Sequence, residues 1–223
     1  MNLENRALSP AEVSFTYSSQ HLRLITTPAP RLIASYPFNE FSYSGAAGEV
    51  RDASGNNNHG TTYGGVLSVM DSTRRAVSFT QSSSFVAIPH TPLFNIPPQA
   101  NFSLSFWVKG SALNNNTVIM SKANILTNSA GYGVIVDSSG KLVLTVSNGV
   151  QNLLLGTIEN VLDNSWHHVG WIVNRQRMCS SYRDSVLVES FNCDSWSHFD
   201  LSNVYNLYLG SNLGTSGFFK GQI

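Results

Sequence analysis

The chain has 223 residues, 42% of them hydrophobic and only 12% charged, enough for one sizeable core, and one domain of about 200 residues fits this length. Lys plus Arg equals Asp plus Glu at 13 each, so no basic excess exists to track a phosphate backbone and nucleic acid is not an expected partner. The start, Met1 to Arg6, lacks a basic stretch followed by an apolar one, and no run approaches the ~18 apolar residues of a membrane-spanning helix, so membrane insertion is not expected.

Leu8-Ser9-Pro10-Ala11-Glu12-Val13 carries a helix start. Ser9 can accept from the amide of Glu12 while Glu12 reaches back, and Pro10 sits where a missing N–H costs nothing. A short helix is predicted to about Tyr17, followed by a linker to Pro30 that holds two prolines and no sustained period. Strand signals begin at Arg31, with Leu32 to Phe38 first; Pro37 confines that run to a strand end or sheet edge. Val50 to Thr61, dense in Asp, Asn and Gly, reads as a tight loop. Ala76–Phe79 and Ser84–Ile88 are predicted to form a hairpin.

Asn101 to Lys109 then puts Phe102, Leu104, Phe106 and Val108 on one face and Ser103, Ser105, Trp107 and Lys109 on the other. Val118–Lys122, Gly131–Val136 and Lys141–Val146 read as a meander, with Asp137-Ser138-Ser139-Gly140 as a turn. Leu153–Thr157 leads to the stretch around which the rest is organised, Ser165 to Asn174. Trp166, Gly170 and Ile172 share one side of it, and Val169, Trp171 and Val173 the other. A strand apolar on both faces belongs mid-sheet, and its natural neighbour is the strand from Asn101. Met178–Phe191, Asn206–Gly210 and Gly217–Ile223 close the series. Many short strands with no long helix predict an all-β fold of two stacked antiparallel sheets.

Phe38, the run Asp52-Ala53-Ser54-Gly55-Asn56-Asn57-Asn58-His59-Gly60-Thr61, the strand from Asn101 to Lys109, Trp166-His167-His168-Val169, and Leu209-Gly210 before Phe219-Lys220-Gly221-Gln222-Ile223 together resemble a laminin G-like jelly roll of the concanavalin A-like superfamily. No single motif is specific; five in order between Phe38 and Ile223 are. The resemblance implies a non-catalytic sandwich over residues 31–223 that binds glycans or extracellular proteins, often with calcium. In that family a tail similar to Asn5-Arg6-Ala7-Leu8-Ser9-Pro10-Ala11-Glu12-Val13 follows a domain's last strand, whereas here it precedes the domain. Residues 1–30 therefore read as the end of a preceding repeat plus a linker, with the sandwich of 31–223 short of its last strand. A circular permutation, in which the tail folds back beside Gln222 and Ile223, is the second account.

The calcium candidate is the loop holding Asp52, Asn56, Asn57 and Asn58, whose side chains offer hard oxygens. Against it, one carboxylate is thin for an ion that takes six to eight oxygens, and an Asx-rich turn can simply satisfy itself. The aromatic candidates for ligand contact are Trp107, on the polar face of its strand, and Trp196, in a loop with His198. His167 and His168 point to opposite faces of their strand and cannot chelate together. Cys179 and Cys193 can bond only across a bulge or a bend, because a tight turn at Asp184-Ser185 puts Cys179 opposite Ser190; the bond would imply an oxidising compartment. Ser185 stands where a primed turn favours glycine. Asn101 and Asn115 match the N-glycosylation pattern.

Catalysis finds no support in the motifs. Concanavalin A-like glucanases carry carboxylates alternating along one strand, and none do here; Asp184, Glu189 and Asp194 straddle a hairpin. The expectation is an extracellular adhesion or recognition module beside neighbouring repeats. The alternative is an accessory carbohydrate-binding domain of a glycan-active enzyme.

Overall fold

The computed structural model describes residues 1–4, 32–71, 74–111, 116–127 and 129–223. The helix predicted at Ser9–Tyr17, the linker after it and Asn115 lie outside these residues.

In chain order the strands are β1 (Asn2–Glu4), β2 (Leu32–Ser35), β3 (Thr61–Tyr63), β4 (Leu67–Asp71), β5 (Arg74–Phe79), β6 (Phe85–Ile88), β7 (Phe102–Gly110) and β8 (Val118–Ser121). They continue with β9 (Gly131–Val136), β10 (Leu142–Ser147), β11 (Asn152–Ile158), β12 (His167–Val173), β13 (Met178–Arg183), β14 (Val186–Asn192), β15 (Leu207–Leu209) and β16 (Gly221–Gln222). One sheet runs β14-β13-β12-β7-β16-β5-β4, with β1 beside β7 and β2 beside β1; the other runs β11-β10-β9-β8-β15-β6-β3. All strand pairings within both sheets are antiparallel. Among the described residues no helix is long and apolar enough to cross a membrane.

The two strands singled out by their alternation are neighbours, with His167 opposite Val108 and Val173 opposite Phe102. Phe102, Leu104, Phe106 and Val108 of β7 and Val169, Trp171 and Val173 of β12 enter the core, where Tyr132, Val134, Leu142 and Leu144 meet them from the second sheet. The rings of Phe102 and Tyr132 lie 5.7 Å apart across the sandwich. Polar atoms carried inward find partners: Trp171 Nε1 donates to Gly156 O at 2.7 Å and the Tyr132 hydroxyl to Phe94 O at 2.9 Å. The outer face of β7 and β12 is also closed off, since Ser103, Ser105, His168 and Ile172 are all buried. Both faces of this strand pair are thus covered, as the double apolar pattern of β12 requires.

One pairing differs from expectation. β5 and β6 do not form a hairpin: β5 lies between β16 and β4 in the first sheet, and β6 between β15 and β3 in the second. The chain crosses the sandwich at residues 80–84, so that Phe79 and Val86 reach the same core from opposite sides. Period-2 alternation states which face a strand buries, not which strand it pairs with. Thr61–Tyr63 and Leu67–Asp71, not singled out as strands from the sequence, are the end strands of the two sheets.

The hairpin of β13 and β14 turns on Asp184 and Ser185, both with positive φ, 50° and 69°. A primed turn therefore forms without glycine, held by the Asp184 carboxylate, which accepts from the His168 amide at 2.9 Å and pairs with His167 Nδ1 at 2.8 Å. Further along, Ser181 stands opposite Glu189 but Tyr182 opposite Leu187, so Val188 is an extra residue. This bulge moves Phe191 opposite Cys179, and Cys193, two positions on, returns to its face. The Cys179–Cys193 disulfide forms with its Cα atoms 5.9 Å apart.

Candidate ligand-binding site

The loop of Asp52 to His59 packs against β2 and is closed upon itself. Asp52 Oδ1 accepts from the amides of Ser35 and Ser54, both at 2.9 Å, and Oδ2 from the Asn58 amide at 2.9 Å and the Ser54 hydroxyl at 2.7 Å. Burial on its own would raise the Asp52 carboxyl; the donated hydrogen bonds outweigh it and hold the group below its ordinary value. Asn56 and Asn58 turn their amide nitrogens onto Ile33 O at 3.0 and 2.8 Å, and the Tyr36 hydroxyl reaches Asn58 O at 2.6 Å. Asn57 is exposed with a φ of 59°. This donor set does not fit Ca²⁺, because neither oxygen of its one carboxylate is unclaimed. Among the described residues no group of three or more His, Cys, Asp or Glu side chains is placed to hold a metal ion.

The aromatic candidates separate. Trp107 is half-buried on the outer face of the first sheet, its ring 5.4 Å from that of His168. Burial, with the chain's N-terminal ammonium adding to it and Asp184 opposing, pulls the His168 imidazole down to about 4. Trp196 and His198 instead share the loop that follows β14. His198 is exposed, its ring edge-on to Phe199 at 5.1 Å, whereas Trp196 is only 3% exposed.

A residue without motif organises this loop. Arg175, in the turn between β12 and β13, is fully buried. Its guanidinium donates to Pro97 O and Ser197 O, both at 3.0 Å, to Trp196 O at 3.2 Å and to Phe199 O, and stands 5.1 Å over the Trp196 ring. Burial lowers its pKa to about 10, with Asp200 opposing, so it remains a cation at neutral pH. One side chain thus ties three connecting segments together at one end of the sandwich. Nothing in the sequence marks Arg175 off from any solvated turn arginine.

Beside that tie lies an open depression of about 430 Å³, lined by Gln151, Asn152 and Leu153 from the start of β11 and by Ser195, Trp196 and Phe199. Gln151 and Asn152 are exposed. Trp196 Nε1 is buried and meets no hydrogen-bond partner among the described residues. An apolar floor, two primary amides and an unsatisfied indole donor suit a neutral, hydroxyl-bearing ligand better than a charged one. A smaller hollow of about 180 Å³, between Tyr43 and Tyr63, lies on other elements.

Comparison with known proteins agrees with this architecture. A family model, laminin G within the concanavalin A-like lectin/glucanases superfamily, matches residues 80–223. The chain belongs to this superfamily. It is 27% identical over 169 residues, 74% of its length, to the non-toxic nonhemagglutinin of Paraclostridium bifermentans, of which it spans 13%. Among solved structures, the binding domain of Paraclostridial Mosquitocidal Protein 1 superposes with a TM-score of 0.59 at 18% identity, over 82% of this chain and 47% of that one. Domain 4 of AbnA, a GH43 extracellular arabinanase from Geobacillus stearothermophilus solved with arabinotriose, gives 0.58 at 16% identity, over 85% and 89%. At these identities the structural likenesses establish the jelly-roll sandwich and nothing finer.

Proposed function

We propose that the chain is a non-catalytic recognition module of an extracellular protein, and that it takes a glycan in the depression beside Trp196. The observation that carries this reading is the depression walled by Trp196, whose buried Nε1 meets no hydrogen-bond partner among the described residues, with two exposed amides beside it. A sugar hydroxyl supplies the missing acceptor, while Gln151 and Asn152 can each donate and accept. The arabinotriose-bound domain of the arabinanase supports the ligand class, and the disulfide supports the compartment. A module of this kind serves equally in an adhesin or a toxin and beside a glycan-active catalytic domain. A glycan array, arabinooligosaccharides included, tests the reading. Binding that survives unchanged in Gln151→Ala and Asn152→Ala variants, or no binding to any glycan, would sink it.

A second reading, a protein partner, has its own observation. β14 is the last strand of its sheet, and Val186, Leu187 and Val188 are 67%, 53% and 42% exposed. A peptide strand added along that edge would cover them. Pull-down by a protein ligand that is lost in Val188→Lys, but not in Gln151→Ala, would favour it.

A further inference from the structure

The turn between β10 and β11 carries a dipeptide with reactivity of its own. Ser147 stands opposite Asn152, so Asn148, Gly149, Val150 and Gln151 alone make the connection. The Asn148 amide closes it by donating to Gln151 O at 3.3 Å. Asn148-Gly149 is the one Asn-Gly pair in the chain. Gly149 is exposed with a φ of 90°, a conformation glycine takes at no steric cost, and no Cβ shields its amide nitrogen.

Three hydrogen bonds prepare this pair. Asn148 Oδ1 accepts from the Val150 amide at 2.9 Å and the Gln151 amide at 2.8 Å. Both bonds draw electron density from the carboxamide carbon Cγ and offer donors to an oxyanion formed there. The Gly149 N–H in turn donates to Ser147 Oγ at 3.0 Å, which leaves its nitrogen the richer in electrons. We propose that Asn148 is a site of self-modification, converting through a succinimide to aspartate or isoaspartate. Hydroxide takes the proton from Gly149 N as that nitrogen bonds to Asn148 Cγ, closing a five-membered ring. The Cγ–Nδ2 bond breaks, and Nδ2 leaves as ammonia with a proton from water. A water molecule then opens the ring. Addition at Cγ restores the main chain and leaves aspartate; addition at the backbone carbonyl routes the main chain through Cγ and leaves isoaspartate.

The turn that changes also positions a lining residue of the depression, because the Gln151 amide is one of the two donors to Oδ1. Isoaspartate adds a methylene to that turn and a carboxylate beside an uncharged site, so the modified form binds ligand more weakly. This consequence rests on the glycan reading of the depression; the chemistry at Asn148 does not.

Peptide mapping by mass spectrometry, after incubation of the folded chain at mildly acidic and mildly alkaline pH, tests the chemistry. Aspartate and isoaspartate are expected at position 148 before any other asparagine converts, and sooner at the alkaline pH. Conversion should be at least as fast as in the same chain unfolded in guanidinium chloride with its disulfide intact. Ser147→Ala should slow it about threefold, the worth of one hydrogen bond. Slower conversion in the folded than in the unfolded chain would overturn the proposal, since the turn would then shield Asn148. A rate that Ser147→Ala leaves unchanged, or no conversion at position 148, would do the same. The modified fraction, separated by ion exchange, should bind glycan about tenfold more weakly. Equal affinity would break the link to recognition. Absence of glycan binding before incubation would count against the depression alone, because the mass spectrum reads Asn148 independently.

Discussion

Two polar loops of this sandwich end up in opposite conditions. The Asp52 to His59 loop brings together a carboxylate, asparagine amides and a histidine, and turns nearly all of them on its own backbone and on β2. The Trp196 to Phe199 loop is poorer in polar side chains, takes its order from a buried arginine reaching in from another turn, and leaves an indole N–H unmatched among the described residues. Richness in oxygen atoms therefore says little about readiness for a ligand. A loop is available to a partner when its hydrogen bonding is incomplete, and is structural when it is complete.

The largest effect should come from removing the tie of the second loop. Arg175→Ala is expected to lower stability by about 4 kcal/mol, because four carbonyls lose their common donor, and to abolish glycan binding along with it. A denaturant melt checks the first and a binding isotherm the second. A loss under about 1 kcal/mol would mean that the loop holds itself together without Arg175, as the Asp52 loop does. The Cys179–Cys193 bond fixes the entry to the same loop. Its removal by a double Cys→Ser change should cost about 3 kcal/mol, as closure of a loop of this size predicts, and this would be read by melting with and without reductant.

The first loop should respond to charge and pH but not to calcium. Asp52→Asn is expected to cost about 2 kcal/mol, since the donors facing Asp52 lose a charged acceptor. The sign of the acid dependence follows from the depressed pKa: the contribution of Asp52 is complete above its unfolded value of ~3.9 and is lost as pH falls through its lower folded value. The wild-type melting temperature should therefore drop below about pH 4 more steeply than that of Asp52→Asn. Melts in calcium and in chelator should coincide. A calcium-dependent rise that Asp52→Asn removes would turn this loop into the ligand-binding one.

Much of this architecture is legible in the sequence. The double apolar face of Ser165–Asn174 and the single one of Asn101–Lys109 specified two central strands, because a side-chain period of two leaves no other way to bury both sets. The jelly-roll resemblance rested on five motifs in chain order, and the family match agrees with it. The route of Cys193 back to Cys179 was open only as far as requiring a bulge; that Val188 supplies it depends on cross-strand register. The crossing at residues 80–84 was hidden for a similar reason, since a short polar turn between two apolar runs looks alike within a sheet and between sheets. The Asp52 loop could be read as an ion site or as a self-satisfied Asx-rich turn, because composition counts oxygens without giving their directions. Arg175 was invisible, because its burial depends on three segments that meet only in the folded chain.

The smallest structural change is the sharpest probe of the contrast. Trp196→Phe keeps an aromatic ring under the Arg175 guanidinium and deletes Nε1, an atom with no partner to lose among the described residues. An unsatisfied buried donor is a liability, so its removal offsets the smaller ring, and the melting temperature should change by the equivalent of less than about 1 kcal/mol. Glycan affinity should nevertheless fall about tenfold, the worth of one hydrogen bond from a desolvated donor to a ligand hydroxyl. Binding unchanged beside unchanged stability would show that the indole N–H is idle. Recognition would then have to lie elsewhere, with the exposed strand β14 the next place to look.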